Sequence, residues 1–154
     1  MLKVNTRLDR SPIQGMGLYA AEFIPKGTVV WEFASEIDTV YHHAKLRSLC
    51  DQNLRTFLFI YTYYSRGLGG YVLCGDHARF VNHNEEANLY CDDRERCIAA
   101  RDIAEGEEIT DNYFLYDHPE GEEYIPEAYA FEAGMRTTAT AGAGASSNGN
   151  GSTY

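Results

Sequence analysis

The residues best placed to do chemistry lie within 79–88, the run R-F-V-N-H-N-E-E-A-N. Asn82 carries amide donors and a carbonyl acceptor, and the ring of His83 both donates and accepts. Side by side they suit recognition of a polar ligand edge. Apolar residues in this run neither recur at helical spacing nor alternate as in a half-buried strand. A polar, aperiodic stretch between apolar strands has a task other than filling a core. Taken alone, His83 is equally open to reading as a catalytic base or a metal ligand.

Two other runs carry weaker signals. Gly15-Met16-Gly17 marks a tight turn at which a ligand can approach the backbone closely. It is not a dinucleotide fingerprint, because neither a third glycine nor a long helix follows. The run E-E-I-T-D-N-Y at 107–113 ends a short strand on Tyr113, a position where packing is the ordinary role.

The elements that must position these residues read as mostly short strands. Residues 2–8 alternate with period two, and 18–21 follow the glycine turn. Pro25-Lys26-Gly27 is a turn, and the β-branched and aromatic run 28–33 is a third strand. Val40, Ala44, Leu46 and Leu49 form a helical stripe, with Asp38 or Thr39 as its N-cap. Residues 57–64 (F-L-F-I-Y-T-Y-Y) look like a buried strand, with helical continuation as the alternative. Asp76 is placed to cap one helical turn carrying Ala78, Arg79 and Phe80. Strands at 88–91 and 97–100 flank a charged turn, and 108–110 is the last strand. A short helix is expected within 124–135. The Ala/Gly/Ser-rich stretch 137–154 buries too little to offset chain ordering and reads as a disordered tail.

A chain of 154 residues, 44% of them hydrophobic, fits one packed domain. Its 12 tyrosines can line a channel with both ring and hydroxyl, although most serve packing. The formal net charge of −10 disfavours direct nucleic-acid binding and favours a basic partner. Nothing apolar approaches the ~20 residues of a membrane span. Cys50, Cys74, Cys91 and Cys97 lack C-x-x-C spacing, so no metal is expected. They read as reduced, isolated thiols of an intracellular protein, cytoplasmic by default and nuclear or chromatin-associated in a eukaryotic source.

Taken in order, the three runs are far more specific. S-P-I-Q-G-M-G-L-Y-A-A-E-F-I-P-K-G, then R-F-V-N-H-N-E-E-A-N, then A-A-R-D-I-A-E-G-E-E-I-T-D-N-Y closely resemble the SET-domain protein lysine methyltransferases. The resemblance covers about residues 3–117. It implies a mainly β fold of several small sheets with short helices, whose C-terminal segment passes through a loop as a pseudoknot. It divides the chain into a SET domain at 1–117, an extension at 118–136 that closes the lysine channel, and the tail. It further implies S-adenosyl-L-methionine as cofactor and a lysine of a basic protein or peptide as substrate, histone-like or ribosomal. A homodimer would be an alternative way of closing the channel.

Carried over position by position, Met16 and Gly17 resemble the backbone cradle for the cofactor, and Asn82 and His83 its polar contacts. Tyr113 matches the catalytic tyrosine, while Tyr90, Asp111 and Tyr116 are channel candidates. Arg79 and Phe80 would support the loop. Methyl transfer from a sulfonium is an in-line displacement that needs a neutral amine. A free lysine has a pKa of about 10.4, so neutralising it near pH 7.4 costs roughly 4 kcal/mol. An aromatic channel and a nearby positive sulfur both lower that cost, so no strong base is required. Tyr113 would then align the amine. The chain departs from the family pattern at Asn84, Ala87 and Asp111, and it lacks the family's cysteine-rich zinc segment after the tyrosine. An Asp111 carboxylate facing the channel would hold the ammonium and slow attack. The alternative reading is therefore a SET module that binds cofactor or a basic peptide without turnover.

Overall fold

The computed structural model describes residues 1–115; the expected extension, tail and Tyr116 lie outside these residues. Ten short strands and two helices are found among the described residues. In chain order they are β1 (Thr6–Arg10), β2 (Met16–Ala20), β3 (Val29–Glu32), β4 (Thr39–Tyr41), α1 (His43–Arg47) and α2 (Gln52–Tyr61). Then come β5 (Thr62–Ser65), β6 (Gly70–Leu73), β7 (Asn82–His83), β8 (Leu89–Cys91), β9 (Arg96–Ala99) and β10 (Glu108–Asp111). The fold is mainly β, as expected.

The strands form three small sheets, ordered β1-β2-β10-β7, β3-β9-β8 and β4-β6-β5. The C-terminal strand β10 is inserted between β2, to which it runs antiparallel, and β7, to which it runs parallel. This is the C-terminal crossover implied by the family resemblance. Its driving force is burial. Ile109 of β10 joins Leu18, Ala20, Ile24, Val30, Leu89, Ala99 and Ile103 in one apolar cluster drawn from the four-stranded sheet, the β3-β9-β8 sheet and the loops beside them. Leu18, Ile103 and Ile109 are fully buried, each contributing about 1.5–3 kcal/mol of transfer free energy.

Three expectations are corrected. The segment after Asp38 opens as β4, and the helix stripe gives way to a single turn, α1. Asp38 caps no helix. Its buried carboxylate accepts the backbone N–H groups of Ala34 (2.8 Å) and Gly75 (2.8 Å), tying two loops together. The 57–64 run begins as helix α2, because the Asp51 side chain caps it by accepting from Leu54 N–H (2.9 Å). Extended structure resumes only at the β-branched Thr62, whose N–H closes the helix on the Leu58 carbonyl.

The third correction concerns the cysteines. Cys91 and Cys97 are joined by a disulfide, while Cys50 and Cys74 are free thiols. Strand pairing sets Cys91 directly opposite Cys97, with a Cα–Cα distance of 4.0 Å. The neighbouring Asp92 N–H bonds the Arg96 carbonyl, so the cysteines occupy the close, non-hydrogen-bonded position of the ladder. Reduction of all four thiols is thus no longer a ground for placing the chain in a reducing compartment. Asp76 behaves as expected, its carboxylate accepting from Ala78 N–H (2.9 Å) at the head of a 3-10 turn over His77–Phe80.

Candidate active site

Residues far apart in sequence meet where β10 lies beside β7. The register pairs Thr110 with Asn82 and Asp111 with His83. The chain then turns, and Tyr113 N–H donates to Nδ1 of His83 (3.2 Å). Nδ1 is therefore the unprotonated nitrogen of that ring. The His83 ring packs against Tyr113 (centroids 5.5 Å apart) and edge-on to Phe114 (4.5 Å). The Tyr113 hydroxyl donates to the Val81 carbonyl, one residue before Asn82. A phenol oxygen that donates its proton can also accept a hydrogen bond.

The Asn82 side chain explains how the glycine turn is attached. Its Nδ2 donates toward the carbonyls of Gln14 (3.2 Å) and Met16 (3.1 Å) and to Glu108 Oε1 (2.8 Å). Those bonds occupy its donors and leave Oδ1 as the group it can offer to a ligand. Glu108 also accepts from Ser11 Oγ (3.0 Å) and the Tyr19 hydroxyl (3.2 Å) through Oε2. Gly17 is required by this arrangement, since a Cβ there would lie 2.3 Å from Glu108 Oε1. Gly17 thus makes room for Glu108, whereas Met16 stands exposed at the turn. β7 is the edge strand of its sheet. Asn84 N–H bonds the Asp111 carbonyl (3.0 Å), so the peptide groups of His83 itself point to the open side.

Sequence reasoning left Asn88 and Glu107 without roles, yet both hold β10 in place. Asn88 is 1% exposed, and its side-chain amide acts as a short surrogate strand. Oδ1 accepts from Thr110 N–H (2.9 Å) and Nδ2 donates to the Glu108 carbonyl (2.8 Å). Glu107 accepts from Asn88 Nδ2 (3.2 Å) and Ala104 N–H (2.9 Å), and it pairs with Arg101 (2.6 Å). Burial pushes the Glu107 carboxyl up, but these donors outweigh it and hold the group below its ordinary value. Asn88 could have been flagged by its place directly before the apolar strand that begins at Leu89, whereas Glu107, between Gly106 and Glu108, carried no such signal.

On the other side of Asp111 lies a cavity of about 450 Å³. Trp31, Tyr63, Tyr90, Cys91, Cys97 and Asp111 contribute to its wall, with Asp92, Asp93, Glu95 and Arg66 around them. Asp111 is 6% exposed and lies with Oδ2 3.5 Å from Cys91 Sγ. Trp31 is 3% exposed, and the described residues supply no acceptor for its indole N–H. Glu95 accepts from Ser65 Oγ (2.5 Å) and the Tyr63 hydroxyl (3.4 Å). Burial, then the nearby Cys74 and Glu95, push the Tyr63 phenol far up, so it stays protonated.

The structure therefore brings the Asn82 side chain to the Met16 carbonyl and Tyr113 to His83, and it places Asp111 and the 47%-exposed Tyr90 on the cavity. The Arg79 guanidinium lies over the Phe80 ring (5.2 Å to its centroid), and Phe80 packs edge-on to Tyr61.

Together these features define a small β domain with a polar hydrogen-bond network around its C-terminal strand and an acidic, aromatic cavity beside it. The SET domain family model matches residues 15–114, and the chain belongs to that family. It is 30% identical over 133 residues to histone-lysine N-methyltransferase 2D of Homo sapiens, a match covering 80% of this chain and 2% of that protein. It is 32% identical over 114 residues to histone-lysine N-methyltransferase SETMAR of Rattus norvegicus, covering 65% of this chain and 36% of that protein. The chain thus spans only a minor part of these relatives. Among solved structures it is similar to ctPRC2 in an autoinhibited conformation bound to S-adenosylmethionine. The TM-score is 0.54 at 24% identity, covering 73% of this chain and 15% of that one, a likeness in fold.

Proposed function

We propose that the chain is an S-adenosylmethionine-dependent protein-lysine N-methyltransferase acting on a basic protein or peptide. The observation that carries this reading is Tyr113, held against His83 and Val81 by a strand threaded between β2 and β7. Membership of the SET family supports it, as do the histone-lysine methyltransferase names of the relatives. The residues present fit the cofactor. Asn82 Oδ1 is an acceptor for an ammonium group, and the open edge of His83 offers peptide groups to a heterocyclic base. Met16 and its turn would border the same site.

When bound, S-adenosylmethionine supplies an electrophilic methyl group on a positive sulfur. The chain's part is alignment and desolvation. Tyr113 Oη, its proton given to Val81, accepts from the lysine amine and orients the nitrogen lone pair. Burial of the amine beside aromatic rings favours its neutral form, and the proton leaves to water. The acidic residues around the cavity attract a basic segment.

The test is transfer of isotopically labelled methyl from S-adenosylmethionine to a panel of histone and ribosomal proteins, with mass spectrometry locating the label on lysine Nζ. Label on another residue type, or on none, would reject the assignment. Asp111 gives the second reading a footing. A carboxylate buried at the cavity wall can hold an ammonium without releasing its proton. Cofactor binding by calorimetry without transfer to any protein of the panel would favour that binding module.

A further inference from the structure

We propose that reduction of the Cys91–Cys97 disulfide creates a site for a thiophilic divalent cation, Zn²⁺ by chemistry, held by both sulfurs and the Asp111 carboxylate. The donor atoms of Cys91, Cys97 and Asp111 all lie within 4.8 Å of one another. A tetrahedral zinc ion with Zn–S near 2.3 Å and Zn–O near 2.0 Å sets its sulfur and oxygen ligands about 3.5 Å apart. Cys91 Sγ and Asp111 Oδ2 already stand at 3.5 Å. The same ion sets its two sulfurs about 3.8 Å apart, the spacing of two non-bonded sulfurs in contact. Thiols released on opposed strands need only relax to reach it.

The surroundings suit such a site. The hairpin carrying the cysteines is closed without their bond, because the Arg96 guanidinium grips Asp92 (Nε–Oδ2 2.9 Å) and Asp92 N–H bonds the Arg96 carbonyl (2.9 Å). Cleaving the disulfide therefore leaves both ligands in place. Asp111 Oδ1 accepts from the Asn112 N–H (2.8 Å), which fixes the carboxylate and turns Oδ2 toward the sulfurs. The cavity beside the cluster has room for water as a fourth ligand. Spacing conceals the site in the sequence, since pairing across a hairpin replaces the C-x-x-C knuckle.

Opening the site requires a small-molecule thiol or phosphine as reductant. Two thiols RSH convert the protein disulfide into two S–H groups and leave as RSSR. The cation then displaces both thiol protons to solvent, so affinity rises with pH. The inference is independent of the catalytic reading, since it concerns binding alone.

The experiment takes the full chain, reduces it with a phosphine, removes the reductant under argon and titrates it with Co²⁺, then with Zn²⁺ against a chromophoric chelator. The expected result is one equivalent bound with a thiolate-to-cobalt charge-transfer band, absent from the oxidised chain. Cys91→Ser and Cys97→Ser abolish the band, Asp111→Asn weakens Zn²⁺ binding at least about tenfold, and Cys50→Ser changes neither. On the unmutated chain, Zn²⁺ should protect Cys91 and Cys97, but not the exposed Cys50, from iodoacetamide in peptide mapping. No charge-transfer band, equal binding by the serine variants, or alkylation of Cys91 and Cys97 unaffected by Zn²⁺ would overturn the proposal.

Discussion

Two regions beside β10 are built differently. Around Asn82, polar side chains interlock: Asn82, Glu108, Ser11 and Tyr19 bond one another and the glycine turn. On the cavity side, the wall is aromatic rings, a disulfide, a buried carboxylate and an indole N–H without an acceptor among the described residues. The first region is rigid because each donor has its acceptor, and removing one group strands the others. The second combines apolar rings with charged and sulfur-bearing groups. The contrast separates positioning, around Asn82, from selection and modulation, at the cavity.

Gly17→Ala should break the comparison most severely. The added Cβ must displace the Glu108 carboxylate and with it the bonds to Asn82, Ser11 and Tyr19. We expect a loss of about 3 kcal/mol in urea unfolding together with loss of cofactor binding in calorimetry. Asn88→Ala should come next, at about 2–3 kcal/mol, because Thr110 N–H and the Glu108 carbonyl lose their buried partner. Asp111→Asn, on the cavity side, should leave unfolding within about 1 kcal/mol. It should raise KM for a basic peptide about tenfold, the effect of one lost charge in a partly screened site. Equal stability losses in both regions would erase the distinction.

The smallest effect is acid sensitivity. Its donors hold the Glu107 carboxyl below the ordinary glutamate value in the folded chain. Its contribution is therefore fully present above that value and is lost as pH falls through the folded one. Glu107→Gln should lower the neutral plateau slightly and thereby flatten the acid limb of the stability curve below about pH 4.5. A limb of unaltered slope would show that Glu107 does not anchor β10.

Legibility of the sequence followed the range of the interactions. Turn and cap signals act locally, so Asp76 and the strands around Gly15, Pro25 and Gly106 could be read directly. The order of the three runs identified Asn82, His83 and Tyr113 as partners, although their contact depends on a strand crossing between two others. The F-L-F-I-Y-T-Y-Y run misled, because its helical start depends on the Asp51 cap six residues before Phe57 rather than on its own composition. The disulfide was hidden because hairpin register, not spacing in the chain, brings Cys91 to Cys97. That Glu108 would lie against any side chain at Gly17 could not be read from the G-M-G turn, because the contact is made across the β2–β10 pairing.

The central claim is that Tyr113 aligns the acceptor amine and contributes little to holding the cofactor. The most direct measurement pairs labelled methyl transfer with calorimetry of cofactor binding in Tyr113→Phe. The account predicts a fall in kcat of at least about 100-fold, near 3 kcal/mol, with cofactor Kd within about threefold of the unmutated chain, about 0.65 kcal/mol. Retention of the full transfer rate, or a loss of rate that only mirrors lost cofactor binding, would contradict it.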